Sequence, residues 1–230
     1  MQVRIFQGHT PALPAADVNV VIDVIRAFTT AWVALERGVL EILLVAEIDQ
    51  AFALRKRFPD YLLVGERGAL KIEGFDFGNS PYDLSQAPIA GRGLIFTTTN
   101  GVRATIHALH DGELLVTGFA SAARTVERIR QIVAGRQAAA VNIIASHPSG
   151  DEDLACATWI RARLLGFDSP GDAEVVARIC ASDAAQKFYD PSRVHFRAED
   201  IDFCARVMAD APAMRASEQA GLVQISAIRA

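Results

Sequence analysis

The sequence predicts an α/β fold: a mainly parallel sheet with helices on both faces, followed by a helix-rich C-terminal region. Three observations carry this. Short, near-continuous apolar runs recur along the chain. Segments with helical spacing of apolar residues separate them. The polar and charged residues cluster directly after the apolar runs. A strand buried on both faces reads as an unbroken apolar run, and intervening helices supply the crossovers that parallel strands need.

Strands are expected at Val3–Phe6, Val18–Val24, Ile42–Val45, Leu62–Val64, Leu94–Phe96, Leu114–Thr117 and Val141–Ala145, each short and apolar. Helices are expected at Thr29–Arg37, Asp49–Arg57, Val102–Leu109, Ala122–Val133 and Asp153–Leu165. The run Gly166-Phe167-Asp168-Ser169-Pro170-Gly171 is a strong break and divides a core, residues 1–166, from a C-terminal region, residues 167–230. That region is read as helical over Glu174–Phe188 and Ile201–Ala209, with a last strand at Leu222–Ser226. It packs on the core either as part of one domain or as a small subdomain.

Composition limits the function classes. Of 230 residues, 51% are hydrophobic and 22% charged, an ordinary balance for a soluble globular protein. A net charge of −4 gives no electrostatic case for binding nucleic acid. The opening MQVRIFQGHTP lacks the apolar run of a signal peptide, and no stretch approaches a membrane span, so a cytoplasmic location is expected. Cys156, Cys180 and Cys204 are odd in number and widely spaced among apolar helical residues, and read as reduced core cysteines.

The segment Gly65–Pro81, GERGALKIEGFDFGNSP, is the most informative stretch. After the strand at Leu62–Val64 it carries Glu66, Arg67, Lys71, Glu73 and Asp76, four glycines, and Asn79-Ser80. A connector needs neither so many charges nor so many glycines. Glycines let a backbone approach a ligand, and mixed charges can hold an anion and a metal together. Glu73 and Asp76 are read as shaping the turn.

Other strand ends carry similar chemistry, and ligands of parallel sheets bind beyond those ends. Asp23 closes the apolar run VNVVI, where a carboxylate is costly unless paired or metal-bound. It is a candidate Mg²⁺ ligand, a nucleophile toward phosphorus, or a cap for the following helix. Arg26 suits bidentate binding of an anion, or a salt bridge to Asp23. Arg67 and Lys71 have the same two readings. Thr97-Thr98-Thr99-Asn100-Gly101 places hydroxyls and backbone N–H groups before a helix, with Arg103 one turn in, which is a common anion site as well as a capping sequence. Glu152 and Asp153 open the helix containing Cys156, where acidic residues also serve the helix dipole. His147 stands at a strand end as a general-acid candidate, and His107 lies inside a helix as a structural residue.

Several common solutions are missing. There is no Walker A loop and no dinucleotide fingerprint. Asp23-Val24-Ile25 lacks the second aspartate of the haloacid-dehalogenase phosphatases, and Arg161 lies five residues after Cys156, one short of the tyrosine-phosphatase spacing.

GERGALKIEGFDFGNSP, with Asp23-Val24-Ile25-Arg26-Ala27 before it and Thr97-Thr98-Thr99-Asn100-Gly101 after it, resembles the motif series of the 2-phosphosulfolactate phosphatase (ComB-like) family. A looser match covers Gly150–Cys156, and a weak pattern surrounds Asp200-Ile201. The resemblance implies a Mg²⁺-dependent phosphatase that converts 2-phosphosulfolactate to sulfolactate and phosphate, a step of coenzyme M synthesis. It implies Asp23, Arg26 and Glu66 as catalytic residues and Asp23, Glu66 and Asp153 as metal ligands. Substrate contacts would come from Arg67, Lys71, Asn79, Ser80, Thr99, Asn100 and Arg103. The expected partner is a small phosphorylated anion, not nucleic acid or membrane, and a homo-oligomer is compatible with it. Three positions depart from the family pattern: Phe28 replaces a small hydroxyl residue, Val102 a threonine, and Ser121-Ala122 an Asn-Ala pair. These changes remove polarity near the expected pocket and open the choice of another phospho-hydroxy acid. The alternative to a phosphatase is a non-catalytic binder of small anions.

Overall fold

The computed structural model describes residues 1–109, 112–208 and 211–228. In chain order the elements are β1 (Gln2–Gln7), β2 (Val18–Ile22), α1 (Ala27–Glu36), β3 (Glu41–Leu44), α2 (Ile48–Arg57), β4 (Leu62–Arg67), β5 (Leu70–Lys71) and α3 (Pro81–Gln86). There follow β6 (Gly93–Thr97), α4 (Gly101–His107), β7 (Glu113–Thr117), a 3₁₀ turn (Phe119–Ser121), α5 (Ala122–Val133), β8 (Ala140–Ala145) and α6 (Asp151–Leu165). The chain closes with α7 (Asp172–Ala181), α8 (Asp183–Tyr189), α9 (Ala198–Cys204), β9 (Ala213–Gln219) and β10 (Leu222–Ile228).

The α/β class expected from the sequence is what the structure has. The strands lie in the order β1-β8-β2-β7-β9-β10-β3-β6-β4-β5. Two parallel blocks, β1-β8-β2-β7 and β3-β6-β4, flank the hairpin β9–β10. The hairpin pairs antiparallel with both blocks, through β7 and through β3. Its turn residues Ala220 and Gly221 have φ of 50° and 76°, as a two-residue type I′ turn requires.

Each antiparallel pairing reverses direction, so the two parallel blocks run in opposite senses. In a flat sheet their carboxyl ends would lie on opposite rims. Strand twist of about 20–25° per step, accumulated from β2 to β6, turns one block by roughly 100° or more against the other. The carboxyl ends then meet: the N–H of Gly101, after β6, donates to Asp23, after β2, at 2.9 Å.

Side chains alternate between the two faces of each strand, and both faces are buried. Val21, Val116, Leu94 and Phe96 pack against Phe28 and Trp32 of α1. Val20, Ile22, Leu115 and Ile143 face the other way, onto Ile129 of α5, Trp159 and Ile160 of α6, and Val175 and Ile179 of α7. Leu43, Leu63 and Ile95 pack against Ala51 of α2.

The C-terminal region differs in detail from the sequence reading. The single helix expected over Glu174–Phe188 is broken at Ser182, whose backbone is extended and whose hydroxyl accepts the N–H of Ala185 to start α8. Helix α9 begins at Ala198 instead of Ile201, and the expected end at Ala209 lies outside the described residues. Strands β5 and β9 and helix α3 were not anticipated. The three departures from the family pattern also need correction. Phe28, Val102, Ser121 and Ala122 are fully buried, and none lines the cavity described below. Phe28 and Val102 fill the core around α1, and the Ser121 hydroxyl bonds Thr117 at 2.9 Å.

Candidate active site

The converging strand ends are held together by carboxylates. Asp23 is only 6% exposed, and its two oxygens accept the N–H groups of Ala27 at 3.0 Å and Gly101 at 2.9 Å. Those are the first residues of α1 and α4, so one carboxylate serves both helix starts and their positive dipole ends. Burial, and the nearby charges of Glu66 and Glu152, outweigh these bonds and push the Asp23 carboxyl up to about 7.

Glu66, next to last in β4, ties it to β6. It accepts the Thr99 N–H at 2.6 Å, the Thr99 hydroxyl at 3.1 Å and the Ala69 N–H at 2.7 Å. The close approach behind it needs Gly65, since a Cβ there would overlap the Thr97 carbonyl. Asp153 has a comparable role between β2 and β8. It accepts the N–H of Val24 at 2.7 Å, the Ser146 hydroxyl at 3.2 Å and the His147 N–H at 3.1 Å. Burial and the charges of Asp23 and Glu152 hold the Asp153 carboxyl well above the ordinary range.

Beyond these carboxylates lies a cavity of about 890 Å³. Asp23, Arg26, Glu66, Asn79, Thr99, Asn100, His147 and Glu152 line it from the core. Helices α7 and α8 close it from the other side with Glu174, Arg178, Ser182, Asp183, Lys187 and Phe188. Sequence reasoning placed no site residue on those helices.

Not every expected residue reaches the cavity. Arg67 donates to the Thr97 hydroxyl at 3.0 Å and to backbone carbonyls of Glu66 and Ala46, bracing β4 against its neighbours. Lys71 is exposed on β5, and Arg103 is 42% exposed beside Glu47 at 3.6 Å. None of the three lines the cavity. The Ser80 hydroxyl accepts the Asp83 N–H at 3.1 Å, starting α3, and donates to Asp200 at 2.7 Å. Of the acidic pair that opens α6, Glu152 faces the cavity and Asp153 does not. Glu152 is 2% exposed, and burial raises its carboxyl.

Arg26 pairs with Asp200 at 2.6 Å instead of Asp23, donates to the Ala69 carbonyl at 3.2 Å and lies over the Phe188 ring at 4.7 Å. Asp200 is 1% exposed and also accepts the Tyr82 N–H at 3.1 Å. It was missed as a site residue, although the weak Asp200-Ile201 pattern pointed to it. His107 bonds the Pro11 carbonyl at 2.8 Å, away from the cavity. Cys156 and Cys204 are fully buried, and burial pushes both thiols up, as inert core cysteines require.

The donor chemistry fits a hard cation in part. No three His, Cys, Asp or Glu side chains form a ready-made metal cluster among the described residues. Mg²⁺, however, keeps several waters and takes only one or two protein carboxylates. Glu152 Oε2 and Asn79 Oδ1 are buried without a hydrogen-bond partner among the described residues, and both residues line the cavity. With Asp23 they offer two carboxylates and an amide oxygen. Asp153, a ligand expected from the sequence, does not line the cavity, and its oxygens accept three hydrogen bonds.

The sequence profile of the 2-phosphosulpholactate phosphatase family matches residues 6–211. A protein of Bacillus subtilis (strain 168), named probable 2-phosphosulfolactate phosphatase, is 45% identical over 206 residues, 90% of each chain. Similarly named proteins are 41% identical in Deinococcus radiodurans, over 69% of this chain and 65% of that one, and 30% identical in Thermus thermophilus, over 92% of each. The chain belongs to the 2-phosphosulpholactate phosphatase family.

Proposed function

We propose that this protein is a Mg²⁺-dependent phosphatase that hydrolyses 2-phosphosulfolactate to sulfolactate and inorganic phosphate, a reaction of the coenzyme M biosynthetic type, carried out in the cytoplasm. The observation that supports this most is the buried Asp23 carboxylate, shared between two helix starts at the floor of the cavity. An unneutralised carboxylate there is costly, and an anion-binding protein gains nothing from placing Glu66 and Glu152 near it. A site that must hold a cation against a phosphoryl group gains directly.

Asp23, Glu152 and the Asn79 amide oxygen would hold the metal. When bound, the ion polarises a phosphoryl oxygen and lowers the pKa of a water molecule. The protein's own groups supply the rest. Arg26 uses two of its guanidinium nitrogens on Asp200 and Ala69, and its remaining N–H groups are available to phosphoryl oxygens. Asn100 presents its amide at the start of α4, where the helix dipole favours an anion. The Nδ1 of His147 accepts the Ser149 N–H at 3.2 Å, so the neutral ring carries its proton on Nε2, suited to protonating the departing alkoxide.

Phosphate release should be measured from 2-phosphosulfolactate and a panel of other phospho-hydroxy acids, with Mg²⁺ and after EDTA. The expected result is turnover of 2-phosphosulfolactate that EDTA removes and Mg²⁺ restores. No release from any substrate, with sulfolactate or phosphate still bound in calorimetry, would make the protein a small-anion binder instead.

A further inference from the structure

We infer that Lys187 on α8 binds the sulfonate group of the substrate and thereby sets the preference for a phospho-hydroxy acid with a second strong anion. This rests on the phosphatase reading above and adds a specificity residue to it. The cavity wall carries six acidic side chains, Asp23, Glu66, Asp151, Glu152, Glu174 and Asp183, against three basic ones. The proposed substrate brings a phosphate, a carboxylate and a sulfonate into that negative space, so uncommitted positive charge is required.

Two of the three cations already have a carboxylate counter-ion. Arg26 is paired with the buried Asp200 at 2.6 Å, and Arg178 with Asp151 through two N–H groups. Lys187 forms no ion pair and no hydrogen bond among the described residues, yet it is half-buried and lines the cavity. Its ammonium lies 5.6 Å from the Phe188 ring centroid and 5.5 Å from that of Phe196, and those rings pack edge to face at 5.0 Å. Aromatic faces hold a cation in place without neutralising it, leaving its N–H donors for a ligand. Burial and the neighbouring Arg26 push the ammonium pKa down, against the opposing charges of Glu66 and Glu152. Lys187 thus takes the substrate-gripping role that the sequence suggested for Arg67 and Lys71, which lie outside the cavity.

Two measurements test this. The first compares Lys187→Gln and Lys187→Arg with wild type on 2-phosphosulfolactate and on 2-phospholactate, which lacks the sulfonate. Lys187→Gln should raise KM for the sulfonated substrate about tenfold to a hundredfold, with a smaller change in kcat, while KM for 2-phospholactate stays level. Lys187→Arg should recover most of the loss. Equal effects on both substrates, or none, would overturn the assignment while leaving the phosphatase reading intact. The second uses the fact that the chain has only three lysines, Lys56, Lys71 and Lys187. Acetylation mapped by mass spectrometry should show that sulfolactate protects Lys187 and not the other two. Such protection in a protein that hydrolyses neither compound would refute the activity and keep the assignment; no protection would refute the assignment.

Discussion

Replacing Asp23 with asparagine separates the electrostatic role of this residue from its role in building the fold. The carboxyl is held up at about 7, against an ordinary value of 3.8. A folded-state pKa raised above the unfolded one stabilises the protein fully below pH 4, and that stability is lost as pH rises through about 7. At roughly 1.4 kcal/mol per pKa unit, the loss is about 4–5 kcal/mol. Asparagine does not titrate, so it avoids the loss. Its amide group, however, must face one of the two N–H donors from Ala27 and Gly101, at a cost of about 1–3 kcal/mol. In EDTA, Asp23→Asn should therefore be less stable than wild type at pH 4.5 and equally or more stable at pH 8. Urea unfolding of both proteins at several pH values reads the difference, which includes the response of Asp153 and Glu152 to the lost Asp23 charge. At pH 8, Mg²⁺ should raise the unfolding midpoint of wild type and not of the variant, and phosphate release by the variant should vanish. A stability difference that stays constant with pH would refute the electrostatic argument, even if activity were lost.

Four further substitutions probe the surrounding framework. Gly101→Ala places a Cβ 2.6 Å from Asp23 Oδ2 and 2.9 Å from the Ala27 Cβ, so thermal unfolding should show a loss of about 1–3 kcal/mol, and turnover should fall further than stability. Asp200→Ala leaves the Arg26 guanidinium buried without its counter-ion; denaturant titration should show a cost of about 3–5 kcal/mol, and an intact midpoint would mean that Arg26 finds another partner. Glu152→Gln and Asp153→Asn should behave differently in calorimetry and unfolding. The first should weaken Mg²⁺ binding with little loss of stability, while the second should destabilise, because Asp153 accepts three hydrogen bonds that join β2 to β8.

Much of the fold was legible because burial on both sheet faces leaves unbroken apolar runs such as Val18–Ile22 and Ile42–Leu44. Strand β9 was not, since AMRASEQ carries arginine, serine and glutamate and its pairing with β7 is long-range. With β9 hidden, nothing in the sequence indicated that the two parallel blocks run in opposite senses. The break between α7 and α8 rests on one serine acting as a cap, a signal weaker than the helical periodicity on either side.

The candidate site was legible where chemistry and strand ends coincide. Asp23, Glu66, Asn79, Thr99 and Asn100 all reach the cavity from positions directly after strands or before helices. Charge alone did not separate Arg67, Lys71 and Arg103 from residues that line it. Register and hairpin geometry turned the first two into the framework or to the surface, and Arg103 points toward Glu47. Glu152 and Asp153 are adjacent on a helix, so about 100° of rotation decides which one faces the cavity, and only the packing of α6 fixes that. Lys187 and Asp200 lie beyond the stretch where motifs are dense, on helices whose amphipathic pattern is as ordinary as that of any surface helix.

The most direct test is a crystal soaked with Mn²⁺ in place of Mg²⁺, together with sulfolactate and phosphate. Anomalous scattering from the metal at Asp23 and Glu152, with phosphate beside Arg26 and the sulfonate at Lys187, is the expected result. A metal bound away from Asp23, or sulfolactate bound outside the cavity between β2, β4 and α8, would contradict the assignment of this cavity as the phosphatase site.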